Sequence, residues 1–367
     1  MRSFHYPALC ISPALIKRLA ARFQLGQERF EYHRSMRVFV TGATGLLGSN
    51  IVNAFLAAGH SVKALARTPA KTAGLYASGD VTVVQGDLGA IGAFAGQLAG
   101  CDLLVHAAAY FREYYAPGDH WDLLYRTNVD GTRDILSAAA GQGIAKVVYI
   151  STSGLIGPPA SGHVSDEQTP PGRRTHQNLY FRSKLLAEEA IAEWSREHPT
   201  PVVHILPGWM FGPGDTGPTG SGRMVLDFLA RKLPGIPPGR ASVVDARDVA
   251  GAVVQTAERG RAGERYIVAG RAATLKEILE TLERVSGVPA PRLRLPYFAM
   301  LGFAYVAQFA SRVTGAPALV TPEAIRTLQE DYDMSSAKAA RELGATFRPL
   351  EETLRDEIAW FRQRQVH

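Results

Sequence analysis

A tyrosine and a lysine stand four residues apart in the run Tyr180-Phe181-Arg182-Ser183-Lys184. In a helix, this spacing places both side chains on one face. An ammonium group beside a phenol stabilises the tyrosinate and lowers the phenol pKa from about 10 toward neutrality. The pair is therefore suited to acid-base chemistry near pH 7. Because the spacing is common in helices, an ordinary amphipathic face is the alternative interpretation.

A cluster of hydroxyl groups, Ser151-Thr152-Ser153, follows the apolar run Lys146–Ile150, which has the composition of a buried strand. If that strand belongs to a parallel sheet, the cluster lies at its carboxyl end, where such sheets bind ligands. A hydroxyl there can hydrogen-bond a substrate oxygen as negative charge develops on it. We therefore predict a catalytic role for Thr152. A simple Ser/Thr turn would explain the residue types but not their position.

A glycine-rich turn lies between an apolar run and an amphipathic stretch at Thr41-Gly42-Ala43-Thr44-Gly45-Leu46-Leu47-Gly48. Gly42 permits a tight turn, Gly45 lets a pyrophosphate approach the backbone, and Gly48 lets the helix pack on the strand. The N-terminus of that helix offers N–H groups to the anion. A turn used only for packing is the alternative. We predict a dinucleotide site formed by Thr41, Gly42, Thr44, Gly45, Leu46, Leu47 and Gly48, with Lys184 at the nicotinamide ribose.

The end of the second predicted strand indicates which dinucleotide is bound. A carboxylate about twenty residues after the last glycine would favour NAD, but the segment 64–71 contains none. Arg67 stands where the 2′-phosphate of NADP would lie, with Lys71 close behind, so we expect NADP, with NAD as the second candidate. A solvated surface arginine is the alternative for Arg67. Asp87, followed by Leu88, can accept from the adenine amino group or cap the next helix.

Short apolar runs alternate with helical patterns from residue 37 onward. Strands are predicted at Arg37–Val40, Val62–Ala66, Val81–Val84, Leu103–His106, Lys146–Ile150 and Pro201–Leu206. Helices are predicted at Leu46–Ala58, Ile91–Leu98, Trp121–Ala140 and Leu179–Glu197. This alternation predicts βαβ units and an α/β fold of the Rossmann type, a doubly wound parallel sheet.

The rhythm changes after Pro207. Residues 211–222 contain two prolines and five glycines, which predicts a loop spanning a cleft. The mixture of short elements beyond it predicts a smaller C-terminal α/β lobe over the carboxyl ends of the strands. We therefore expect an N-terminal extension (1–35), a dinucleotide-binding Rossmann domain (36–207) and a mainly substrate-binding lobe with C-terminal helices (208–367).

The net charge of +6 is unevenly distributed. Residues 1–35 hold six Lys/Arg and two acids, so they supply +4 and the rest of the chain only +2. A nearly neutral body argues against a nucleic-acid partner. The Arg-rich leader faintly resembles a transit peptide, but Pro7 and Pro13 interrupt any helix there. Met36, directly before the first strand, favours an upstream extension instead.

Neither membrane insertion nor a disulfide framework is expected. No apolar run reaches the roughly 18 residues that a membrane-spanning helix needs. The two cysteines, Cys10 and Cys101, are too few for a disulfide framework, and Cys101 beside an apolar run indicates a reducing compartment. We expect a cytoplasmic protein without a bound metal.

Together these motifs resemble the extended short-chain dehydrogenase/reductases, the NAD-dependent epimerase/dehydratase superfamily. The resemblance covers Met36 to the C-terminus. It rests on the glycine-rich turn, Gly86-Asp87-Leu88, His106–Ala109, Asn128–Thr132, Ser151–Ser153, the Tyr180/Lys184 pair and Gly212–Asp215. Within the superfamily, Pro218–Arg223 and Val225–Leu229 look most like bacterial proteins called dihydroflavonol-4-reductase-like enzymes or hopanoid-associated sugar epimerases.

The resemblance implies roles for individual residues. Thr152 supplies the catalytic hydroxyl, with Ser151 and Ser153 as neighbours that could share its role. Tyr180 is the acid-base group and Lys184 its partner. Asn128 is expected to brace a helix near the active site rather than to react. The remaining cofactor contacts would come from Ala107 and Ala108 on the adenosine-ribose side and from Pro207 and Gly208 at the nicotinamide amide.

Two departures from the superfamily pattern narrow the function. Sugar-nucleotide dehydratases place a glutamate two residues after the catalytic hydroxyl, where this chain has Gly154. The asparagine-led segment that sugar-nucleotide epimerases use after the catalytic helix is also missing. Aromatic residues instead follow the fourth predicted strand, and they suit an apolar or ring-shaped substrate or merely pack a loop. These aromatic residues are Tyr110, Phe111, Tyr114, Tyr115 and Trp121.

The leading hypothesis is an NADPH-linked reductase of a ketone or aldehyde, and so a small-molecule carbonyl or hydroxyl substrate. A sugar epimerase that retains NAD is the alternative. A non-catalytic dinucleotide sensor is the third hypothesis, although sensors of this fold commonly lack the tyrosine. A homodimer is compatible with the sequence.

Overall fold

The computed structural model describes residues 35–76, 79–111, 120–159, 163–314, 322–327 and 333–364. Its strands, in chain order, are β1 Arg37–Thr41, β2 Ser61–Ala66, β3 Val81–Gln85, β4 Leu103–His106, β5 Lys146–Ile150, β6 Val202–Pro207, β7 Trp209–Phe211, β8 Arg240–Asp245, β9 Arg265–Val268 and β10 Arg271–Thr274. Its helices are α1 Leu46–Ala57, α2 Trp121–Tyr125, α3 Gly131–Gly141, α4 Arg173–Gln177, α5 Leu179–Glu197, α6 Gly220–Leu229, α7 Ala246–Arg259, α8 Leu275–Ser286, α9 Tyr297–Thr314, α10 Pro322–Thr327, α11 Ala337–Leu343 and α12 Leu350–Arg364.

Seven parallel strands form the main sheet in the order β3-β2-β1-β4-β5-β6-β9. The chain builds outward from β1 in one direction as far as β3 and then continues from β4 in the other. This reversal beside β1 is the switch point at which open α/β sheets bind ligands. The predicted doubly wound Rossmann fold is therefore confirmed.

Alternate residues of each strand enter two different cores, because side chains of a strand point to opposite faces of the sheet. Val38 of β1 packs in a core with Ile51 of α1 and Val249 of α7. Phe39, the next residue, packs on the other face with Ile135 of α3 and Ile191 of α5. Both faces are thus covered by helices, which explains the nearly continuous apolar runs of the strands.

Three predicted elements differ from the structure. The expected helix at Ile91–Leu98 is two 3₁₀ turns, Leu88–Ala93 and Ala95–Leu98, since three glycines between residues 88 and 97 weaken a helix. The expected helix at Trp121–Ala140 is interrupted by a π-helical turn at Arg126–Asp130. The expected loop at 211–222 contains the last residue of β7 and the first turn of α6.

A smaller sheet of β10, β8 and β7 lies beyond the main one, over a core shared with α6, α8 and α12. Strand β9 comes after β7 and β8 in the chain, yet it pairs with β6 in the main sheet. The main sheet therefore includes one strand, β9, from beyond residue 207. The predicted extension at 1–35 lies almost wholly outside the described residues. None of the described helices is both long and apolar enough to cross a bilayer.

Candidate active site

The glycine-rich turn connects β1 to α1 and lies against the end of β4. Gly42 has a φ of +69°, and a Cβ there would come within 2.7 Å of the Ala108 nitrogen. A Cβ on Gly48 would overlap the carbonyl oxygen of Gly42. Both positions therefore require glycine because the turn packs tightly on the protein itself.

Gly45 is different, because a Cβ there would make only an ordinary contact, 3.5 Å from the Gly42 oxygen. Gly45 is exposed and forms the N-cap of α1 without a side-chain hydrogen bond, and the first turn of α1 has no acidic residue. Thr44 is half-buried beside it, while Leu46 and Leu47 are buried in the first turn. An uncapped helix N-terminus with an open glycine fits a pyrophosphate, which makes backbone contacts and carries negative charge.

A chain of hydrogen bonds fixes the turn against β4. The Ala108 N–H donates to the Thr41 hydroxyl, at 3.1 Å, and that hydroxyl lies 2.8 Å from Nδ1 of His106. Nε2 of His106 lies 3.1 Å from the Thr132 hydroxyl, which itself donates to the carbonyl of Asn128. The Thr132 oxygen must therefore accept from Nε2–H, so Thr41 donates to an unprotonated Nδ1. Burial lowers the pKa of His106 to about 3, helped by the charge of Lys184, and this keeps the imidazole neutral.

The other predicted cofactor residues end neighbouring strands. Ala107 and Ala108 are half-buried after β4, while Pro207 is buried at the end of β6 and Gly208 follows it half-buried. A Cβ on Gly208 would lie 2.7 Å from the Ser242 carbonyl oxygen, so β8 packs directly on this glycine. Strand β5 lies between β4 and β6, and these residues therefore flank its carboxyl end on both sides.

The predicted phosphate-selecting side chains are exposed after β2. The Arg67 side chain is 79% exposed, and its Nε lies 3.9 Å from Oδ2 of Asp87. Lys71 is exposed in a 3₁₀ turn, while Leu88 packs partly buried on the core under α3. Oδ1 of Asp87 accepts from the N–H of Gly89 at 2.8 Å. Of the two roles considered for Asp87, the structure shows the capping one, and its other oxygen faces Arg67.

Lys184 is 2% exposed on α5, under the carboxyl end of β5. Its Nζ donates to the carbonyl of Ile150 at 2.6 Å and lies 4.3 Å from the centre of the Tyr149 ring. Burial lowers the pKa of Lys184 to about 7, and the negative charge of Glu188 acts in the opposite direction. Lys184 is thus held at the end of β5 by Ile150, the residue two positions before Thr152. With a pKa of about 7, its charge is sensitive to pH near neutrality.

Tyr180 lies one turn before Lys184 on the same helix. Asn178 begins α5, because its side-chain oxygen accepts from the N–H of Phe181 at 3.0 Å. The half-buried Tyr180 ring meets the ring of Phe111 edge-on, with centroids 4.8 Å apart. Of the predicted aromatic cluster, Phe111 therefore lies beside Tyr180. Trp121 instead stacks with Arg182, and Tyr114 and Tyr115 lie outside the described residues.

The turn after β5 packs tightly against α5. The hydroxyl oxygen of Thr152 accepts from the N–H of Gly154 at 3.1 Å, which leaves its proton to donate elsewhere. A Cβ on Gly154 would overlap the ring of Phe181. The position that carries a glutamate in dehydratases therefore has no room for a side chain here. This contact also brings the first turn of α5, with Tyr180, against the hydroxyl cluster.

Asn128 lies in the π-helical turn and connects three segments around the site. Its Oδ1 accepts from the N–H of Tyr110 at 2.7 Å, and its Nδ2 donates to the carbonyl of Tyr110 and the hydroxyl of Ser183. It therefore braces the segment before Phe111 against α5, as expected. π-turns of this kind are frequent at functional sites. The segments that the structure describes contain no group of three or more potential metal ligands.

The model of the NAD dependent epimerase/dehydratase family matches residues 38–269, well over half of the chain. The chain belongs to this family. The match includes the glycine-rich turn, the hydroxyl cluster after β5 and the helix that carries Tyr180 and Lys184. The protein is accordingly an NAD(P)-dependent oxidoreductase of the extended short-chain dehydrogenase/reductase type.

Two relatives match over nearly their whole length. A dihydroflavonol 4-reductase-like protein of Synechocystis sp. is 32% identical over 327 residues, which cover 88% of this chain and 94% of the relative. Sterol demethylase protein B of Methylococcus capsulatus is 33% identical over 339 residues, which cover 90% and 99%. Since both alignments cover most of the two chains, they extend the family resemblance beyond the residues of the family match.

Solved structures share the whole architecture. The crystal structure of gox2253 has 30% identity and a TM-score of 0.76, and the alignment covers 90% of this chain and 99% of that one. UDP-glucuronic acid 4-epimerase from Bacillus cereus, in complex with UDP-glucuronic acid and NAD, has 20% identity and a TM-score of 0.71, covering 90% and 100%. At that identity, the second likeness concerns the fold alone.

Several polar residues near the site escape the motif-based prediction. His106 and Thr132 belong to quoted motifs but carry no predicted role, and Glu188, His204 and Arg265 lie in no motif. The only sequence signal for Glu188 is its position four residues after Lys184, on the same face of a helix.

Proposed function

We propose that the protein reduces a ketone or aldehyde group on an apolar or ring-shaped small molecule, with NADPH as the preferred cofactor. The glycine-rich turn, Pro207 and Gly208 would hold the nicotinamide cofactor, which when bound would supply the hydride for the carbonyl carbon. Tyr180 donates its phenolic proton to the carbonyl oxygen, and Thr152 hydrogen-bonds that oxygen as charge develops on it. The products are an alcohol and a tyrosinate, which the Lys184 ammonium stabilises until a solvent proton restores the phenol.

The position of Lys184 carries the proposal. Its Nζ is fixed on the Ile150 carbonyl at 2.6 Å, one helical turn from Tyr180 and under the end of β5. A buried ammonium in this position acts on the phenol more strongly than a solvated one, because the surrounding dielectric constant is low. The same helix packs Phe181 on Gly154, which leaves no space for the carboxyl group of a dehydratase.

Two observations support an apolar substrate. Phe111 packs edge-on against Tyr180, so an aromatic side chain lies beside the proposed proton donor. Two relatives have names that describe the reduction of apolar or aromatic molecules. One is a 4-hydroxy-2-methyl-3-oxo-4-farnesyl-3,4-dihydroquinoline-1-oxide ketoreductase of Stigmatella aurantiaca, which is 29% identical. The other is cinnamoyl-CoA reductase 1 of Oryza sativa, which is 25% identical. The first name is that of a ketone reductase and the second that of a reductase of an aromatic acyl-CoA.

Arg67 and Lys71 support the preference for NADPH. They are exposed after β2, the strand whose end faces the adenosine ribose in this fold, and the segment between Leu65 and Leu75 holds no carboxylate. A cytoplasmic location and a homodimer complete the proposal. The proposed location rests on the cysteine content.

The test is a panel of ketones and aldehydes offered with NADPH and with NADH, followed by Tyr180→Phe on the best substrate. General acid-base groups are worth roughly 10²–10⁴ in rate, so turnover should fall by that factor while the melting temperature and NADPH affinity stay unchanged. Tyr125→Phe, on the partly exposed Tyr125 of α2, is the matched control. Tightly copurified NAD together with interconversion of sugar-nucleotide epimers would establish the epimerase instead.

A further inference from the structure

Five polar residues form one row across the main sheet beneath α3 and α5. The strand register pairs Thr41 with His106, His106 with Tyr149, Tyr149 with His204, and His204 with Arg265. Paired residues of parallel strands point to the same face of a sheet. The row therefore lies just below the carboxyl ends of the strands, directly under the helix that carries Tyr180 and Lys184.

The half of the row on the β4 side is neutral. His106 is uncharged, as its hydrogen bonds and lowered pKa require. Tyr149 is fully buried, its ring lies 5.8 Å from that of His106 and 5.6 Å from that of His204, and burial raises its phenol pKa well above the ordinary value. The ammonium of Lys184 lies over the Tyr149 ring. Strands β4 and β5 contain no acidic residue that could pair with it.

The carboxylate of Glu188, on α5, lies against the half of the row on the β9 side. Oε2 of Glu188 lies 3.2 Å from Nε of Arg265, and its Oε1 lies 3.7 Å from Nδ1 of His204. The Glu188 side chain is only 13% exposed. Burial acts to raise its pKa, but His204, Arg265 and the hydroxyl of Ser151 together outweigh burial, and the pKa lies below the ordinary value. Glu188 is therefore a carboxylate at neutral pH.

Glu188 stands one helical turn after Lys184, which stands one turn after Tyr180, so all three lie along one face of α5. We propose that Glu188 is a positioning residue for the reaction: held by Arg265 and His204, it supplies the negative charge that keeps Lys184 an ammonium beside Tyr180. The inference rests on the proposed function, because it concerns the proton-transfer pair assigned there.

The physical reason is the cost of burying a charge. Desolvation favours a neutral lysine, and the carbonyl of Ile150 together with the ring of Tyr149 compensates this cost in part. The Glu188 carboxylate, one helical turn away, stabilises the ammonium further. Both groups are largely buried, so water screens the attraction between their charges only weakly. If the carboxylate is neutralised, Lys184 should lose its proton at lower pH, and it would then no longer stabilise the tyrosinate of Tyr180.

The test uses the full chain and Glu188→Gln, which keeps the size of the side chain and removes its charge. Glu189→Gln is the matched control, because Glu189 is the next residue of the same helix and is exposed. The chain has only eight lysines, so ¹³C-labelled lysine gives few NMR signals, and Lys184→Arg identifies the one from Lys184. The pH titration of that signal reports the charge directly and needs no substrate.

In Glu188→Gln the Lys184 midpoint should move to lower pH by about one unit, the size expected from one nearby charge, while Glu189→Gln leaves it in place. In the profile of carbonyl-reduction rate against pH, the decline at high pH should move by the same amount. The activity that Glu188→Gln loses at pH 8 should therefore return at lower pH. A merely structural role of Glu188 would lower activity at every pH.

An unchanged Lys184 titration in Glu188→Gln would overturn the inference, and so would a shifted titration with an unshifted rate profile. Should Glu188→Gln not fold, Arg265→Gln tests the same electrostatic coupling from β9 with the opposite sign. It removes the cation that compensates Glu188, so the Lys184 midpoint should move to higher pH, and an unchanged midpoint would overturn the inference. Failure of the proposed function is read separately, as absence of carbonyl reduction by the unmodified protein.

Discussion

Two glycines of the same turn should respond in opposite ways to the addition of one methyl group. A Cβ on Gly48 would overlap the carbonyl oxygen of Gly42 and come within 3.0 Å of the Cα of Ala43, whereas a Cβ on Gly45 would lie 3.5 Å from the Gly42 oxygen. Gly48→Ala therefore perturbs the packing of the protein itself. Gly45→Ala perturbs only what approaches from outside.

The magnitudes follow from these contacts. Overpacking costs typically 1–3 kcal/mol, and about 2 kcal/mol lowers the melting temperature of a domain of this size by roughly 3 °C. We expect that loss for Gly48→Ala and a smaller loss of about 0.5–1 kcal/mol for Gly45→Ala, since alanine is a poorer N-cap than glycine. For NADPH binding, Gly45→Ala should cost one charge-assisted hydrogen bond of about 1.5–3 kcal/mol, a roughly tenfold to hundredfold weaker affinity.

The assay combines thermal unfolding without cofactor and a fluorescence titration with NADPH, each on the two variants and the unmodified protein. Gly92→Ala is a control for the substitution itself, because Gly92 is exposed and a Cβ there meets nothing within 4 Å. If Gly45→Ala bound NADPH with unchanged affinity, the pyrophosphate would not lie on this turn. If Gly48→Ala kept the full melting temperature, the packing argument would be wrong.

Three further changes test other parts of the structure. Arg67→Ala should remove most of a tenfold to hundredfold preference for NADPH over NADH, by loss of about one charge-assisted contact, and spare NADH; equal affinities in the unmodified protein would contradict this. Lys146 donates to three carbonyls at the end of α7, at 2.8–2.9 Å, so Lys146→Met should lower the unfolding free energy by about 2 kcal/mol, measured by denaturant titration; a loss within error would refute the cap. Burial raises the pKa of Glu357 well above the ordinary value, so the folded state holds a proton that the unfolded state releases, and stability falls as pH rises above about 4.3. Glu357→Gln should therefore gain melting temperature relative to the unmodified protein between about pH 5 and pH 8, and a constant difference would count against a protonated Glu357.

Local patterns in the sequence were sufficient to place the glycine-rich turn and the helix that carries Tyr180 and Lys184. The spacing of Gly42, Gly45 and Gly48 depends on one strand-turn-helix unit, and the spacing of Tyr180 and Lys184 depends on one turn of helix. Such patterns reflect backbone geometry over a few residues, which the sequence encodes directly. The bounds of β4, β5 and α5 were for the same reason predicted to the residue.

Only the tertiary structure could join residues that are distant along the chain. The polar row takes one residue from each of five strands, from Thr41 to Arg265, and which residues meet is decided by strand register. Register depends on the packing of whole faces of the sheet, and no short window of sequence contains it. The same holds for the contact of Gly154 with Phe181, where the need for glycine comes from a ring 27 residues away. The charge on Lys184 depends on such contacts, since burial and its neighbours together determine whether a buried ammonium keeps its proton.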